Sequence, residues 1–120
     1  MAYKSFEDLE VWQRGCRLSV DIFQTFKSCR FPNLKNQIER AGLSVPSNVA
    51  EGAERGGARE FSQFLKIAKG SSGEVRTQLY IAQKLKVIDL SEGKRLVKES
   101  KEISAMLEGL RKAVIKEIKT

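Results

Sequence analysis

QIERAGLSVPSNVAEGAERGGAREFSQFLKIAKGSSGE, residues 37–74, decides the fold. It reads as two antiparallel helices joined near Gly56-Gly57, where glycine can supply the left-handed backbone that ends a helix. In the second of them Phe61, Leu65, Ala68 and Ser72, continued by Val75, Leu79 and Ala82, alternate steps of four and three. That alternation is the seam of a near-parallel helix bundle. The first helix, starting at Asn33–Lys35, puts Leu34, Ile38, Ala41, Val45, Val49 and Gly52 on an inward face. A polar row of Gln37, Arg40, Ser44, Asn48, Glu51 and Arg55 runs beside them.

Two features within this stretch demand a structural account. Pro46 removes the amide that would bond to Gly42 and presses on that carbonyl, so a bend that wraps the helix around a core is expected. Gly70-Ser71-Ser72-Gly73 is poor helix-forming material, which a helix tolerates where small residues let a neighbour approach closely. With the fold-back at residue 57, facing positions add to about 115 at equal rise per residue. Ser44 then meets Ser71, Arg40 pairs with Glu74, Glu51 is level with Phe64, and Glu51 pairs with Arg55 one turn away.

Outward from this hairpin the chain supplies one helix on each side. Ser5 and Asp8 form a helix start, and Leu9, Trp12, Cys16, Val20 and Phe23 share one face of a helix that runs to about Cys29. Val11, Leu18 and Ile22 form a second apolar face almost opposite, which implies deep burial or a subunit contact. Phe64, Ile67, Ile81 and Leu85 likewise add a second stripe to the third helix. After a turn at Val87–Ser91, with Asp89 or Ser91 as cap, the last helix carries Leu96, Ile103, Leu107, Leu110, Val114 and Ile118 inward. Lys94, Lys98, Lys101, Lys112, Lys116 and Lys119 stand opposite. The expected architecture is all-α: an antiparallel up-down four-helix bundle of helices of about 20–28 residues, one domain over residues 1–120.

Composition narrows the chemistry. The 120 residues are 41% hydrophobic and 31% charged, with a formal charge of +7. Residues 1–60 hold nine Lys/Arg against eight Asp/Glu, and residues 61–120 hold thirteen against seven. The excess favours attraction to phosphate polymers without being a recognition motif. No histidine is present, which removes the usual zinc sites and any histidine-based triad. Cys16 and Cys29, read on one helix and about 220° apart around it, cannot bridge, and are expected as small buried hydrophobes. GAERGG lacks the lysine–hydroxyl ending of a phosphate loop. Glu51 and Glu74 stand too far apart along the bundle, about 15 Å, for a carboxylate pair. An enzymatic reading would reopen if either were solvent-lined and free of arginine. No apolar run reaches the roughly 20 residues that cross a bilayer, and no signal segment opens the chain, so a cytoplasmic protein with no membrane partner is expected.

The same residues carry a resemblance. FEDLEVWQ (6–13), R-A-x-x-S-x-P-x-N-x-A-E-G (40–52), Arg55, Phe61, Phe64-Leu65 and A-x-G-S-x-x-E (68–74) resemble the four-helix-bundle proteins of bacterial 23S rRNA intervening sequences, over nearly the whole chain. The resemblance implies a homo-oligomer, favouring a barrel-like pentamer with a central channel. It implies no enzymatic activity. Related accessory variability proteins of diversity-generating retroelements share that architecture and bind a reverse transcriptase and nucleic acid.

Two functional classes follow. One is a basic oligomeric module that binds RNA or DNA through phosphates, with Arg14, Arg17, Lys66, Lys69, Arg76, Lys84, Lys94, Lys98 and Lys101 as candidates. The other is a protein-interaction scaffold serving a nucleic-acid-processing protein. In both, Arg40, Ser44, Asn48, Glu51, Arg55, Ser71 and Glu74 form a structural polar network, and no cofactor or metal is expected.

Overall fold

A computed structural model describes residues 5–119, with side chains through Ile118. Among these residues there is no strand; four helices follow a single 3-10 turn at Phe6–Asp8. They are α1 (Glu10–Thr25), α2 (Pro32–Glu54), α3 (Ala58–Leu85) and α4 (Leu90–Lys119). Together they make a rod of 50 × 20 × 19 Å. Each helix packs on the next, and α1 closes the bundle against α4; α3 has the broadest contacts and α1 the narrowest.

The helix ends obey local chemistry. The Ser5 hydroxyl accepts from the Glu7 amide and the Asp8 carboxylate accepts from the Ser5 amide, a reciprocal cap on the opening turn. Pro32 occupies the first turn of α2, where its missing amide has no partner to lose, so α2 begins earlier than the hydrophobic period shows. Gly56, at φ +81°, turns the chain between α2 and α3. Asp89 caps α4, accepting from the Ser91 hydroxyl and the Glu92 amide, and these bonds hold its carboxyl below the usual range. Residues 1–4, and the Lys119 side chain of the expected lysine row, lie outside the described residues.

The core of α3 is the one its period foretells: Phe61, Leu65, Ala68, Ser72, Val75, Leu79 and Ala82 are all buried. The inward face of α2 holds as well, and α2 runs unbroken through a buried Pro46. Helix α1 departs from expectation. It ends at Thr25, so Cys29 lies beyond it, and both cysteines are free and only half-buried. Val11, Leu18, Ile22 and Phe26 form its core face, whereas Val20 is 54% and Phe23 41% exposed.

Small residues explain that choice of face. Gly15 and Ser19 alternate with Val11, Leu18 and Ile22, and they let α2 come close. A methyl group built on Gly15 would stand 3.4 Å from Pro46 Cβ, and one on Gly42 would stand 2.8 Å from Ile22 Cδ1. On the other side Trp12 packs against the core and the Phe6 ring, but Val20 and Phe23 stay exposed. The helices are also less even than expected, at 16, 23, 28 and 30 residues.

Glycines separate cleanly into those that are packed and those that are not. A Cβ on Gly52 would sit 2.6 Å from Phe64 Cβ, while Cβ atoms on Gly70 and Gly73 would meet nothing within 4 Å. Gly52→Ala is therefore expected to force α2 from α3 and lose about 1–3 kcal/mol. Gly70→Ala and Gly73→Ala should each gain up to about 1 kcal/mol from helix propensity alone. Urea denaturation followed by circular dichroism reads both signs.

Candidate nucleic-acid interface

Two polar seams set the bundle's surfaces. Along α2 and α3, Ser44 Oγ and Ser71 Oγ lie 2.8 Å apart, and Asn48 Nδ2 donates to Ser44 Oγ and to the Ser44 carbonyl, both at 2.8 Å. Arg55 Nη2 meets Glu51 Oε2 at 2.8 Å, and its guanidinium lies 4.9 Å from the Phe64 ring centroid. These contacts match the facing positions read from the sequence. Arg40 and Glu74 do not: both are exposed and form no ion pair with each other among the described residues. They lie at the solvent edge of the helices, where equal level does not bring long side chains together.

Along α3 and α4 the seam joins Ser72, a member of the α3 period, to Ser100 and Ser104, which the α4 period passes over. Ser72 Oγ donates to the Ser100 carbonyl at 2.9 Å, and Ser104 Oγ donates to Ser72 Oγ at 2.9 Å. Arg76 Nη1 donates to Ser100 Oγ at 3.3 Å and Ser104 Oγ at 3.4 Å. No carboxylate pairs with Arg76 among the described residues. Ser100 fills the inward slot between Leu96 and Ile103, a gap in the apolar list that was its only signal in the sequence.

The nine candidate cations fall into unlike groups. Arg14 is spent inside the protein: Nε donates to Glu99 Oε2 at 2.9 Å, and Nη2 to Glu99 Oε1 and Glu102 Oε1 at 2.5 Å each. This clamp, with Arg95 bound to Glu92 and Asp21, ties α1 to α4 and neutralises that side. The Arg14 guanidinium holds the Glu99 carboxyl below its ordinary value of 4.5. Lys69 is 3.4 Å from Glu108, which also binds Arg111 and is held down to about 2, chiefly by that arginine. Lys66 and Lys69 line a surface depression of about 440 Å³ with Gly70, Glu108 and Arg111.

Arg17, Lys84, Lys94, Lys98 and Lys101 are exposed and in no ion pair among the described residues. Contacts of Arg76 with Ser100, of Asp21 with Arg95 and of Arg14 with Glu99 put these five in the same half of the bundle, spread over about 14 Å of its axis. They form a basic belt over α3, α4 and the near edge of α1. Lys69 and Lys66 continue down α3, about 9 and 13 Å below the level of Lys101. The described residues contain no group of three metal-ligating side chains, and no helix is long and apolar enough to cross a membrane.

Residues 7–109 match the model of the family described as 23S rRNA-intervening sequence protein. The chain belongs to that family. A crystal structure of a protein with unknown function from the S23 ribosomal protein family of Bacteroides thetaiotaomicron VPI-5482 is similar, with a TM-score of 0.78. The two are 22% identical, over 85% of this chain and 98% of that one, which carries the fold alone. No curated protein matches. That structure thus shares the four-helix arrangement found here.

The Arg14–Glu99 clamp makes a pH prediction. Because the folded state lowers the Glu99 pKa, the clamp's contribution is complete above about pH 4.5 and is lost as pH falls below it through the lowered folded value. Glu99→Gln should cost about 1–2 kcal/mol at neutral pH, and the difference from wild type should shrink to nothing in acid. Denaturation midpoints measured from pH 7 down to 3 check this.

Proposed function

We propose that the protein is a non-enzymatic, homo-oligomeric module that binds nucleic acid, RNA foremost, through phosphate contacts made by the basic belt. The observation that carries the reading is the partition of charge. Arg14, Arg55, Arg95 and Arg111 are consumed by carboxylates, while Arg17, Lys84, Lys94, Lys98 and Lys101 are left together and unpaired among the described residues. Exposed cations without carboxylate partners suit a polyanion read by charge rather than by base edges. The family's description, which refers to 23S rRNA, supports RNA as the polymer.

Absence of catalysis is supported by the character of the acidic groups. Glu51 is held by Arg55. Glu74 is exposed and free of arginine ion pairs among the described residues, so it alone meets the condition that would reopen an enzymatic reading. It gains no partner carboxylate, however, because Glu51 lies well away along the seam. One exposed carboxylate provides neither an acid–base pair nor an activated nucleophile.

Assembly is supported by two apolar stripes on opposite flanks of α2. Val20, Phe23 and Leu43 are exposed on the α1 side, and Ile67, Ile81 and Leu85 on the α3 side. Unlike patches on two flanks favour head-to-tail contacts, which close into rings rather than two-fold dimers. A ring, of five subunits as the family resemblance implies, would repeat the belt around its rim and multiply its field. The scaffold reading draws on the same stripes, with a nucleic-acid-processing protein in place of a second copy.

Replacing Lys84, Lys94, Lys98 and Lys101 together by alanine should weaken RNA binding and flatten the slope of log affinity against log salt by about three. Fluorescence anisotropy between about 50 and 300 mM salt measures it; wild-type affinity that ignores salt would reject phosphate contact. Phe23→Glu and Ile67→Glu should each reduce the assembly to monomers in light scattering. Wild-type protein that scatters as a monomer would reject the ring.

A further inference from the structure

Tyr80 is a large aromatic side chain for which the subunit has no use. It is 44% exposed, belongs neither to the core nor to the residues packed against it, and its hydroxyl has no hydrogen-bond partner among the described residues. It stands within the basic belt. Arg76 and Lys84 lie one helical turn before and after it, so cation, ring and cation follow along one flank of α3 at about 6 Å intervals. Resting on the reading of this belt as a nucleic-acid surface, we propose that its ligand is an unpaired single strand. One base lies on the Tyr80 ring while Arg76 and Lys84 hold the phosphates on either side.

Two points favour a single strand over a duplex, and a third supplies the phosphate contact. The ring can engage only the face of a base, and a duplex buries those faces in its own stack. Tyr80 borders an open depression of about 510 Å³ on α3 whose wall also includes Gly73, Glu74, Arg76 and Thr77, and a Cβ on Gly73 would meet nothing within 4 Å, so the flank of α3 below the ring is open to a flat base. Arg76 is oriented by the hydroxyls of Ser100 and Ser104 through Nη1 alone, so the rest of its guanidinium is free to donate to phosphate.

The test compares a fluorescent oligoadenylate strand with a blunt RNA duplex of equal length, by anisotropy at fixed salt. Wild-type protein should prefer the strand. Tyr80→Ala should weaken strand binding about 5- to 50-fold with no change in salt slope and no effect on the duplex, and Tyr80→Phe should bind the strand as wild type does. Circular dichroism confirms that the variants fold. A preference for duplex, or equal losses on both polymers with Tyr80→Ala, would overturn the inference. If the four-lysine variant loses binding while Tyr80→Ala does not, stacking is refuted and phosphate contact stands. If the four-lysine variant also binds normally, the belt itself is not the nucleic-acid surface and both readings fall.

Discussion

Two adjacent hydroxyls on α3 set the distances on which the bundle depends. Ser71 and Ser72 are neighbours in sequence and about 100° apart around the helix, so one points to α2 and the other to α4. Each reaches its neighbour at hydrogen-bond length, Ser71 to Ser44 Oγ and Ser72 to the Ser100 carbonyl and Ser104 Oγ. A side chain this short can do so only if both flanking helices come close at that level. Such contacts contribute modestly to stability but heavily to register, because sliding a helix by one turn would strand several buried polar groups at once.

The consequences spread from that level. Close approach on the α2 side brings Gly52 against Phe64 and lets Arg55 lie over the same ring beside the turn. On the α4 side it places Arg76 at the serine pair and, two turns on, aligns Gln83 with Gly93. With register fixed, charges fall where the sequence put them relative to the seam: acids and arginines interleave between α1 and α4, and lysines collect on the outward side of α3 and α4. The division between a neutralised edge and a basic belt is thus a product of packing, not of net charge.

Much of this was readable in the chain. The alternating steps of α3 identify its core, and the fold-back at Gly56-Gly57 places Ser44 opposite Ser71, because hydrophobic period and turn chemistry are both local signals. What escaped depends on context that no period encodes. The core face of α1 was ambiguous because Gly15 and Ser19 look like interruptions in an apolar pattern, yet in the fold they permit contact with Pro46 and Gly42. Ser100 and Ser104 were hidden among charged neighbours. Arg40 and Glu74 share a level but sit on outward edges, a matter of rotation about the helix axis that facing sums ignore. Which lysines remain unpaired was equally out of reach, since it is decided by the glutamates that tertiary packing delivers to Arg14 and Lys69.

The slenderness of α1 has a dynamic consequence. At 16 residues, with the narrowest contacts of the four helices and its α4 edge secured by ion pairs, it is the segment whose detachment exposes least apolar surface. Opening should therefore proceed in stages, with α1 peeling away while the α2–α3–α4 hairpins persist as a cooperative unit. Arg17, Val20 and Phe23 all ride on that helix, so the edge of the belt and one of the two apolar flanks leave together. Solution conditions that loosen the Arg14 clamp then act as a single control over both surfaces.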